Sequence, residues 1–293
     1  MPSILDTRRL SAFKKLELMA RRVVEGFITG LHKSPFKGFA IEFDQHRPYV
    51  PGDDIKHIDW KVMAKTGKHY IKEYEEDTSL RGYIVLDRSG SMAYTSARYT
   101  KYDYARFVAA VMSYMLISQK DAVGMAVCDS EIRHFFPPKS TSIHYRNLID
   151  TLEETETGED TGLASVLHSL ATRIKRRALI VIISDFFDDV EGLSLALNHF
   201  AHKNHEVVLF QVLDRRESEF PFNDLTRFES LEGETMILTD PVRIRREYLR
   251  QFQIHQKALQ KTCHERRIDF VPVFTDEPIE RTLAKYLVGR LRR

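Results

Sequence analysis

The chain has 293 residues, 43% of them hydrophobic, which is enough for one large domain with an appendage or for two modest domains with a real core. Its 44 Lys and Arg residues nearly balance its 42 Asp and Glu residues, so composition gives no case for nucleic-acid binding. The longest apolar run, residues 178–183, is too short to cross a bilayer, and the start carries no signal-peptide pattern; we therefore expect a cytoplasmic protein without a transmembrane segment.

The first predicted element is an amphipathic helix over residues 8–30, where apolar side chains recur at three- to four-residue spacing. Two strands are predicted next, over residues 36–43 and 69–74, and the Pro and Gly residues between them indicate a turn. We therefore predict a first domain of residues 1–79, made of the N-terminal helix and a small β-rich segment. A second domain would cover residues 80–293.

The turn between these two predicted strands is rich in charge. Its acids and its histidine can be read as a second metal or catalytic cluster of Asp53, Asp54, His57 and Asp59. We favour a structural account, in which the acids form turns and cap helices, Arg47 pairs with one of them, and Trp60 lies in the core. A partner-binding surface is the other hypothesis for this block, and it would be formed by Arg47, Tyr49, Asp53, Asp54, Asp59 and Trp60.

A buried strand is then predicted to end in a loop with three oxygen-bearing side chains. Apolar residues 83–86 run into Asp87, Ser89 and Ser91, and a helical pattern over residues 102–119 follows. In a parallel sheet, ligands bind beyond the carboxyl ends of strands, so a site is expected here. One carboxylate and two hydroxyls suit Mg²⁺ or Mn²⁺, but the same residue types also favour ordinary turns and helix starts. The motif alone leaves both interpretations open.

The spacing Asp87-x-Ser89-x-Ser91, followed by Met92, resembles the metal-ion-dependent adhesion site of von Willebrand factor A domains. Those domains have a doubly wound fold and are used mainly for protein binding. In their pattern, a threonine before one helix and an aspartate after the fourth strand complete the metal site, and Thr161 and Asp185 match these two positions. The resemblance implies that Asp185 acts through a coordinated water.

Two neighbours of the expected ligands leave questions open. Asp160 can cap the helix or ligate in place of Thr161, although the resemblance favours Thr161. Arg88 lies between Asp87 and Ser89, and its cation would weaken metal binding unless it points to solvent or pairs with an acid.

The segment upstream of Asp87 resembles the bacterial family called domain of unknown function 58. The resemblance covers most of the chain and is carried by Ser34, Gly38, Glu42-Phe43, Arg47-x-Tyr49, Gly52-Asp53-Asp54 and Ile58-Asp59-Trp60. In that family the block precedes a von Willebrand A-like domain, and the genes commonly stand beside one for a MoxR-type AAA+ ATPase. Many members carry transmembrane helices ahead of the block, whereas this chain resembles the shorter, soluble branch.

Strands and helices alternate through the rest of the chain. Strands are predicted over residues 122–128, 178–183, 206–213 and 268–274, with an antiparallel strand over 132–136, and helices over 145–152, 161–174, 191–203 and 242–266 and from residue 276 onward. A small hairpin with its turn at Gly233 is predicted before residue 240. The alternation predicts an α/β fold with a doubly wound, mostly parallel sheet of the von Willebrand A or Rossmann type. We also predict that Cys128 and Cys263 are buried and that His255 faces the core or its boundary and is not a ligand.

These patterns predict a protein-interaction module rather than an enzyme. The Asp87 loop lacks the second aspartate of a phosphotransferase motif, no nucleophile elbow or phosphate loop is present, and no histidine stands next to the metal motifs. The expected ligands of Mg²⁺ or Mn²⁺ are Asp87, Ser89, Ser91, Thr161 and Asp185, and a partner's carboxylate would complete the ion. The resemblance implies a MoxR-type AAA+ ATPase as partner, with the chain as adaptor or co-chaperone. The alternatives are a metal-dependent hydrolase or phosphatase, and a metal-free structural interaction module.

Overall fold

The computed structural model describes residues 16–18, 20–24, 42–48, 60–67, 70–75, 80–96, 98–158, 162–231, 236–279, 281–283 and 286. By its contacts the chain divides into two compact units, one of residues 36–80 and one of residues 1–35 together with 81–293. This grouping differs from the predicted division, which puts residues 1–79 together. The functional boundaries of the domains stay a prediction.

The smaller unit contains an antiparallel pair of strands, β1 (Glu42–Pro48) and β2 (Tyr70–Glu75). Strand β1 runs past its predicted end at residue 43. A short helix that the sequence patterns do not predict, α1 (Trp60–Thr66), stands between the strands in the chain. Trp60 is 56% exposed, so its predicted place in the core is wrong. A unit of this size encloses little interior, and the first residue of a helix has no preceding turn on which to pack its ring.

The larger unit is built on a six-stranded sheet. Its strands are β3 (Arg81–Asp87), β4 (Ala122–Cys128), β5 (Ile132–Lys139), β6 (Leu179–Ser184), β7 (Glu206–Leu213) and β10 (Asp269–Phe274), while β8 (Thr226–Glu229) and β9 (Met236–Thr239) form a separate hairpin. The strand order is β10-β7-β6-β3-β4-β5, and every neighbouring pair is parallel except β4 and β5. The predicted doubly wound, mostly parallel fold is confirmed, as are the antiparallel strand and the small hairpin.

Helices cover both faces of this sheet. They are α2 (Lys101–Ser118), α3 (Ser142–Glu154), α4 (Leu163–Arg173), α5 (Val190–His202), the short α6 (Arg215–Glu219) and α7 (Pro241–Glu265). Side chains of α4, α5 and α7 form one hydrophobic cluster with Val85, Ala126 and Ile180 of the sheet. On the opposite face, α2 brings Leu116 directly against Gly82. Central strands such as β6 are therefore buried along their whole length, which explains their continuous apolar sequence.

Several other sequence predictions also agree with the structure. Cys128 and Cys263 are buried free thiols, and the helical residues 16–18 and 20–24 bury Leu16 and Ala20, as the amphipathic pattern predicts. Within the described residues, none of the helices combines the length and the apolar character needed to span a bilayer.

Candidate functional site

The strand order places a crevice between the carboxyl ends of β3 and β6. From β3 the chain moves to β4 on one side, and from β6 it moves to β7 on the other, so the direction of winding changes between these two paired strands. Such a switch point is where doubly wound folds bind ligands. Asp87 is the last residue of β3, and Asp185 directly follows β6. The fold thus brings together two acids that are far apart in the chain.

Asp87 is almost fully buried at the base of this crevice, with 3% of its surface exposed. One carboxylate oxygen accepts the backbone N–H of Ser89 at 2.8 Å, and the other accepts the hydroxyl of Ser184 at 2.6 Å. Burial and the nearby charge of Asp185 nevertheless raise the pKa of Asp87 to about 7. Burial is the larger of the two causes, and the charge of Asp185 is the one that a bound cation would offset.

Ser89 and Ser91 follow Asp87 closely in the chain. Ser91 belongs to a single 3₁₀ turn, Gly90–Ala93, and Ser89 is the residue just before that turn. Their hydroxyl oxygens are 3.3 Å apart. Ser89 is buried, whereas Ser91 is partly exposed. The hydroxyl pair therefore runs from the base of the crevice towards solvent.

The loop that carries Asp185 is held by several hydrogen bonds. Phe186 adopts a left-handed backbone conformation with φ of 58°, and its N–H donates to the hydroxyl of Ser184 at 2.8 Å. Its carbonyl accepts Nε2 of His255 at 2.9 Å, and Gln211 donates to the carbonyl of Asp185 at 3.0 Å. His255 thus has a structural partner, in agreement with its predicted inward orientation. These contacts hold the backbone from which the Asp185 side chain projects. They also stabilise the unfavourable left-handed conformation of Phe186 beside it.

Lys101 is a central residue of this site that the sequence patterns do not indicate. It is fully buried, and its ammonium donates to Oδ2 of Asp185 and to Oε1 of Glu217, both at 2.7 Å. Burial alone would lower the pKa of Lys101, but the two carboxylates raise it above its ordinary value. A lysine in the first turn of a helix gives no sign of this role, because that position is usually exposed.

Glu217 and Asp214 extend the site towards α6. Asp214 directly follows β7. Asp214 and Glu217 form a capping box, in which Glu217 accepts a hydrogen bond from the backbone N–H of Asp214 at 3.1 Å. The buried Asp214 also accepts the backbone N–H of Ser96 at 2.9 Å, which ties the segment after the 3₁₀ turn to α6. Here a sequence signal existed, because Asp-x-x-Glu directly after an apolar strand is typical of a helix start.

Arg88 pairs with an acid, which is one of the two conditions under which it would not oppose a metal ion. Its Nε lies 3.5 Å from Oδ2 of Asp129, whose carboxylate is also held by Nε of Arg133 at 2.9 Å. The carbonyl of Arg88 accepts the N–H of Gly158 at 2.6 Å.

Thr161 and Asp160 lie outside the described residues, but described residues near them contact the loops after β3 and β4. Gly158 is bonded to Arg88, directly after Asp87. Gly162 lies so close to the loop after β4 that a Cβ on it would stand 3.0 Å from the Cα of Ser130.

The second predicted surface belongs to the smaller unit. Arg47 lies in β1 opposite Ile71, and Trp60 is exposed on α1. Its other members, Tyr49, Asp53, Asp54 and Asp59, lie outside the described residues, as does His57. In the part of the chain that the structure describes, no three or more His, Cys, Asp or Glu side chains are grouped to hold a metal ion. The site at β3 and β6 is of another kind, since it combines two carboxylates with hydroxyls.

The residues around Asp87 fit a hard divalent cation. Asp87 and the two serine hydroxyls offer oxygen ligands of the type that Mg²⁺ prefers. Asp185 lies nearby, and its two carboxylate oxygens accept hydrogen bonds from Lys101 and from the N–H of Phe187. Two of the three carboxylates, those of Asp185 and Glu217, accept hydrogen bonds from the ammonium of Lys101, and Asp87 lies close enough to Asp185 to feel its charge. In their ionised forms these four groups have a formal net charge of −2. A divalent ion would neutralise that charge.

Comparisons with known proteins place the chain among relatives of undetermined function. A family model described as "Protein of unknown function DUF58" matches residues 45–258, well over half of the chain. Uncharacterized proteins of Mycobacterium tuberculosis and Mycobacterium bovis are each 24% identical over 291 residues, covering 98% of this chain and 91% of the relative.

Two solved structures are similar at low sequence identity. The conserved hypothetical protein BatB of Bacteroides thetaiotaomicron is 18% identical, with a TM-score of 0.49 over 73% of this chain and 100% of its own. The VWA domain of SpRpn10 is 11% identical, with a TM-score of 0.43 over 70% of this chain and 94% of its own. The fold assignment depends on the strand order described above.

Proposed function

The chain belongs to the DUF58 family, and we propose that it is a non-enzymatic protein-interaction module that works through a bound Mg²⁺ ion, or Mn²⁺ in its place. Asp87, Ser89, Ser91 and Thr161 would hold the ion directly, and Asp185 would hold it through a water. The observation that carries this proposal is the meeting of Asp87, the Ser89–Ser91 hydroxyl pair and Asp185 at the switch point of the sheet.

When bound, the ion would supply a positive charge that accepts a carboxylate from another protein. The residues of this chain have the other tasks. Ser184 and the N–H of Ser89 orient Asp87, and the hydrogen bonds of the Asp185 loop keep the second acid in place. Ser91, on the partly exposed side of the crevice, marks where a partner's Asp or Glu would enter.

The proposed partner is a MoxR-type AAA+ ATPase or its client, with this chain as a cytoplasmic adaptor or co-chaperone. This part of the proposal comes from the family resemblance. The nearly balanced charge of the chain supports a protein partner over a nucleic acid.

The test is affinity capture from the native cytosol with the tagged full chain, in Mg²⁺ and in EDTA, alongside Asp87→Ala. The control is Asp224→Ala, which removes an exposed carboxylate from the loop before β8. We expect the same partners to disappear with EDTA and with Asp87→Ala but to remain with Asp224→Ala, each variant being shown by circular dichroism to be folded.

Two outcomes would overturn this proposal. Partners that persist in EDTA and with Asp87→Ala would mean that binding uses a metal-free surface. Turnover of a phosphate ester or peptide that Asp87→Ala abolishes, with partner binding intact, would mean that the site is the active site of a metal-dependent hydrolase or phosphatase.

A further inference from the structure

The ammonium of Lys101 is enclosed at the centre of the acidic site. None of its side chain is exposed, and both of its ionic partners are at hydrogen-bond distance, Asp185 and Glu217 at 2.7 Å each. The rings of Phe187 and Tyr94 lie 5.0 and 5.8 Å from Nζ and complete the enclosure. Such burial of a lysine is costly unless its charge is paired, and here two carboxylates accept two of the three N–H bonds of the ammonium.

The position of this cation matters for a metal ion. Lys101 occupies one oxygen of Asp185, the acid that would hold the ion through a water. It therefore already supplies positive charge where the divalent ion would supply more, and the two cations would share Asp185. At short range, two cations in a protein interior repel each other, so the ammonium weakens the binding of a second cation beside it.

We propose that Lys101 is a built-in counter-cation, which holds Asp185 and Glu217 together in the metal-free protein and limits the affinity of the site for a divalent ion. The inference rests on the proposed function in taking the crevice as the metal site. It makes metal binding reversible: the acids keep a partner when the ion leaves, so the site stays assembled for the next ion.

Charge-matched variants separate this role from that of an ordinary buried ion pair. Lys101→Met changes the net charge of the four groups from −2 to −3, Glu217→Gln changes it to −1, and the double variant restores −2 without the ammonium. Lys139→Met is the control, because that lysine is exposed on the edge strand, opposite Val123 near the start of β4 and so at the other end of the sheet.

The measurements are thermal unfolding in EDTA and isothermal titration calorimetry with Mg²⁺. In EDTA we expect Lys101→Met to lower Tm by about 10 °C, because it leaves the buried Asp185 and the partly buried Glu217 without a cation. We expect the double variant to recover part of that loss. We expect Lys101→Met to bind Mg²⁺ about tenfold more tightly than the wild type, Glu217→Gln to bind it about tenfold more weakly, and the double variant and Lys139→Met to bind it like the wild type.

Three results would overturn the inference. Unchanged or weaker Mg²⁺ binding by Lys101→Met would make Lys101 a structural residue only. If that variant does not fold, tighter binding by Glu217→Gln would have the same meaning. If neither the wild type nor Lys101→Met binds Mg²⁺, the proposed function and this inference both fail. If Lys101→Met alone binds Mg²⁺, Lys101 blocks the site in the wild type, so the inference holds and the proposed function fails.

Discussion

Arg88 stands next to the proposed metal ligands, but its charge is paired with an acid on another loop. It lies between Asp87 and Ser89 in the sequence, yet its guanidinium is directed to Asp129, which also accepts hydrogen bonds from Arg133 and from the N–H of Glu131. Two arginines thus share one acid beyond the end of β4, and the positive charge of Arg88 is offset there.

Asp129 should make the stability of the protein depend on pH. Burial raises the pKa of Asp129. The hydrogen bonds from Arg133 and from the N–H of Glu131, together with the charges of Arg133 and Arg88, outweigh this effect, so the pKa lies below its ordinary value. A carboxylate with a depressed folded pKa stabilises the fold above its unfolded pKa of about 4, and that stability is lost as pH falls through the lower folded pKa.

We therefore expect Asp129→Asn to cost about 1 to 2 kcal/mol at pH 7, a modest value because Arg133 is partly exposed. The difference between variant and wild type should shrink below about pH 4. Urea unfolding at a series of pH values measures it, with the exposed Asp224→Asn as control. A difference that stays constant down to pH 3 would show that the cost is one of packing and not of charge.

At this scale, sequence reasoning predicts candidate metal ligands but not the residues that hold them in place. Asp87, Ser89 and Ser91 are recognisable because they are adjacent in the chain and follow an apolar strand. Lys101 and Ser184 contact the same acids, but their roles depend on which strands and helices become neighbours. Which remote segments become neighbours is determined by tertiary packing, and a local sequence pattern does not predict it.

Among the secondary-structure elements, the pair β4 and β5 shows how the antiparallel edge of the sheet is shaped. The register shifts between Val123 and Met125, where Pro137 and Pro138 stand on the edge strand. Prolines and irregular pairing at an edge discourage further strands from joining it. Gly124 makes the close approach possible, since a Cβ there would lie 2.6 Å from the carbonyl oxygen of Phe136.

We expect Gly124→Ala to destabilise the protein by about 1 to 3 kcal/mol, because the added methyl meets backbone that cannot move without disturbing the edge. Gly82→Ala is the matched comparison on β3. Its methyl would meet Cδ1 of Leu116, the mobile end of a side chain, so the cost should be smaller. Chemical denaturation of both variants checks this order, and an equal or reversed order would contradict it.

The elements that were predictable are those with strong periodic patterns. Strands β3, β4, β6 and β7 each contain a run of at least four apolar residues, and α7 carries apolar residues on one face. The short helices α1 and α6 cannot be predicted from periodicity, because so few residues do not show a helical repeat. For α6 the signal is the capping box of Asp214 and Glu217. The prediction for Trp60 is wrong because a small unit has too little interior to bury every aromatic side chain.

For the molecule as a whole, the hairpin of β8 and β9 is an exposed apolar feature. Met236, Ile237 and Leu238 are each more than half exposed, and β9 contains no charged residue. In the described part of the chain, β9 pairs only with β8, so its other edge is open. Open apolar edges without charge promote pairing with other chains.

We expect the protein to associate weakly with itself as its concentration rises, and Ile237→Lys to reduce that association, because a charge on an edge strand opposes pairing. Light scattering over a concentration series measures it. Ile143→Lys, the same change at an exposed residue of helix α3, is the control and should have no effect. Equal association by the wild type and Ile237→Lys would show that another surface is responsible.

The buried ammonium of Lys101 also has a consequence for how the protein is made. A ribosome releases the chain from its amino end, so α2 emerges long before Asp185 and Glu217 have been synthesised. Until both acids are available, Lys101 has no carboxylate partner for its buried charge, and α2 cannot adopt its final packing. The nascent chain should therefore stay incompletely folded until translation has passed α6, and ribosomes stalled before Glu217 would carry a protein without a finished site.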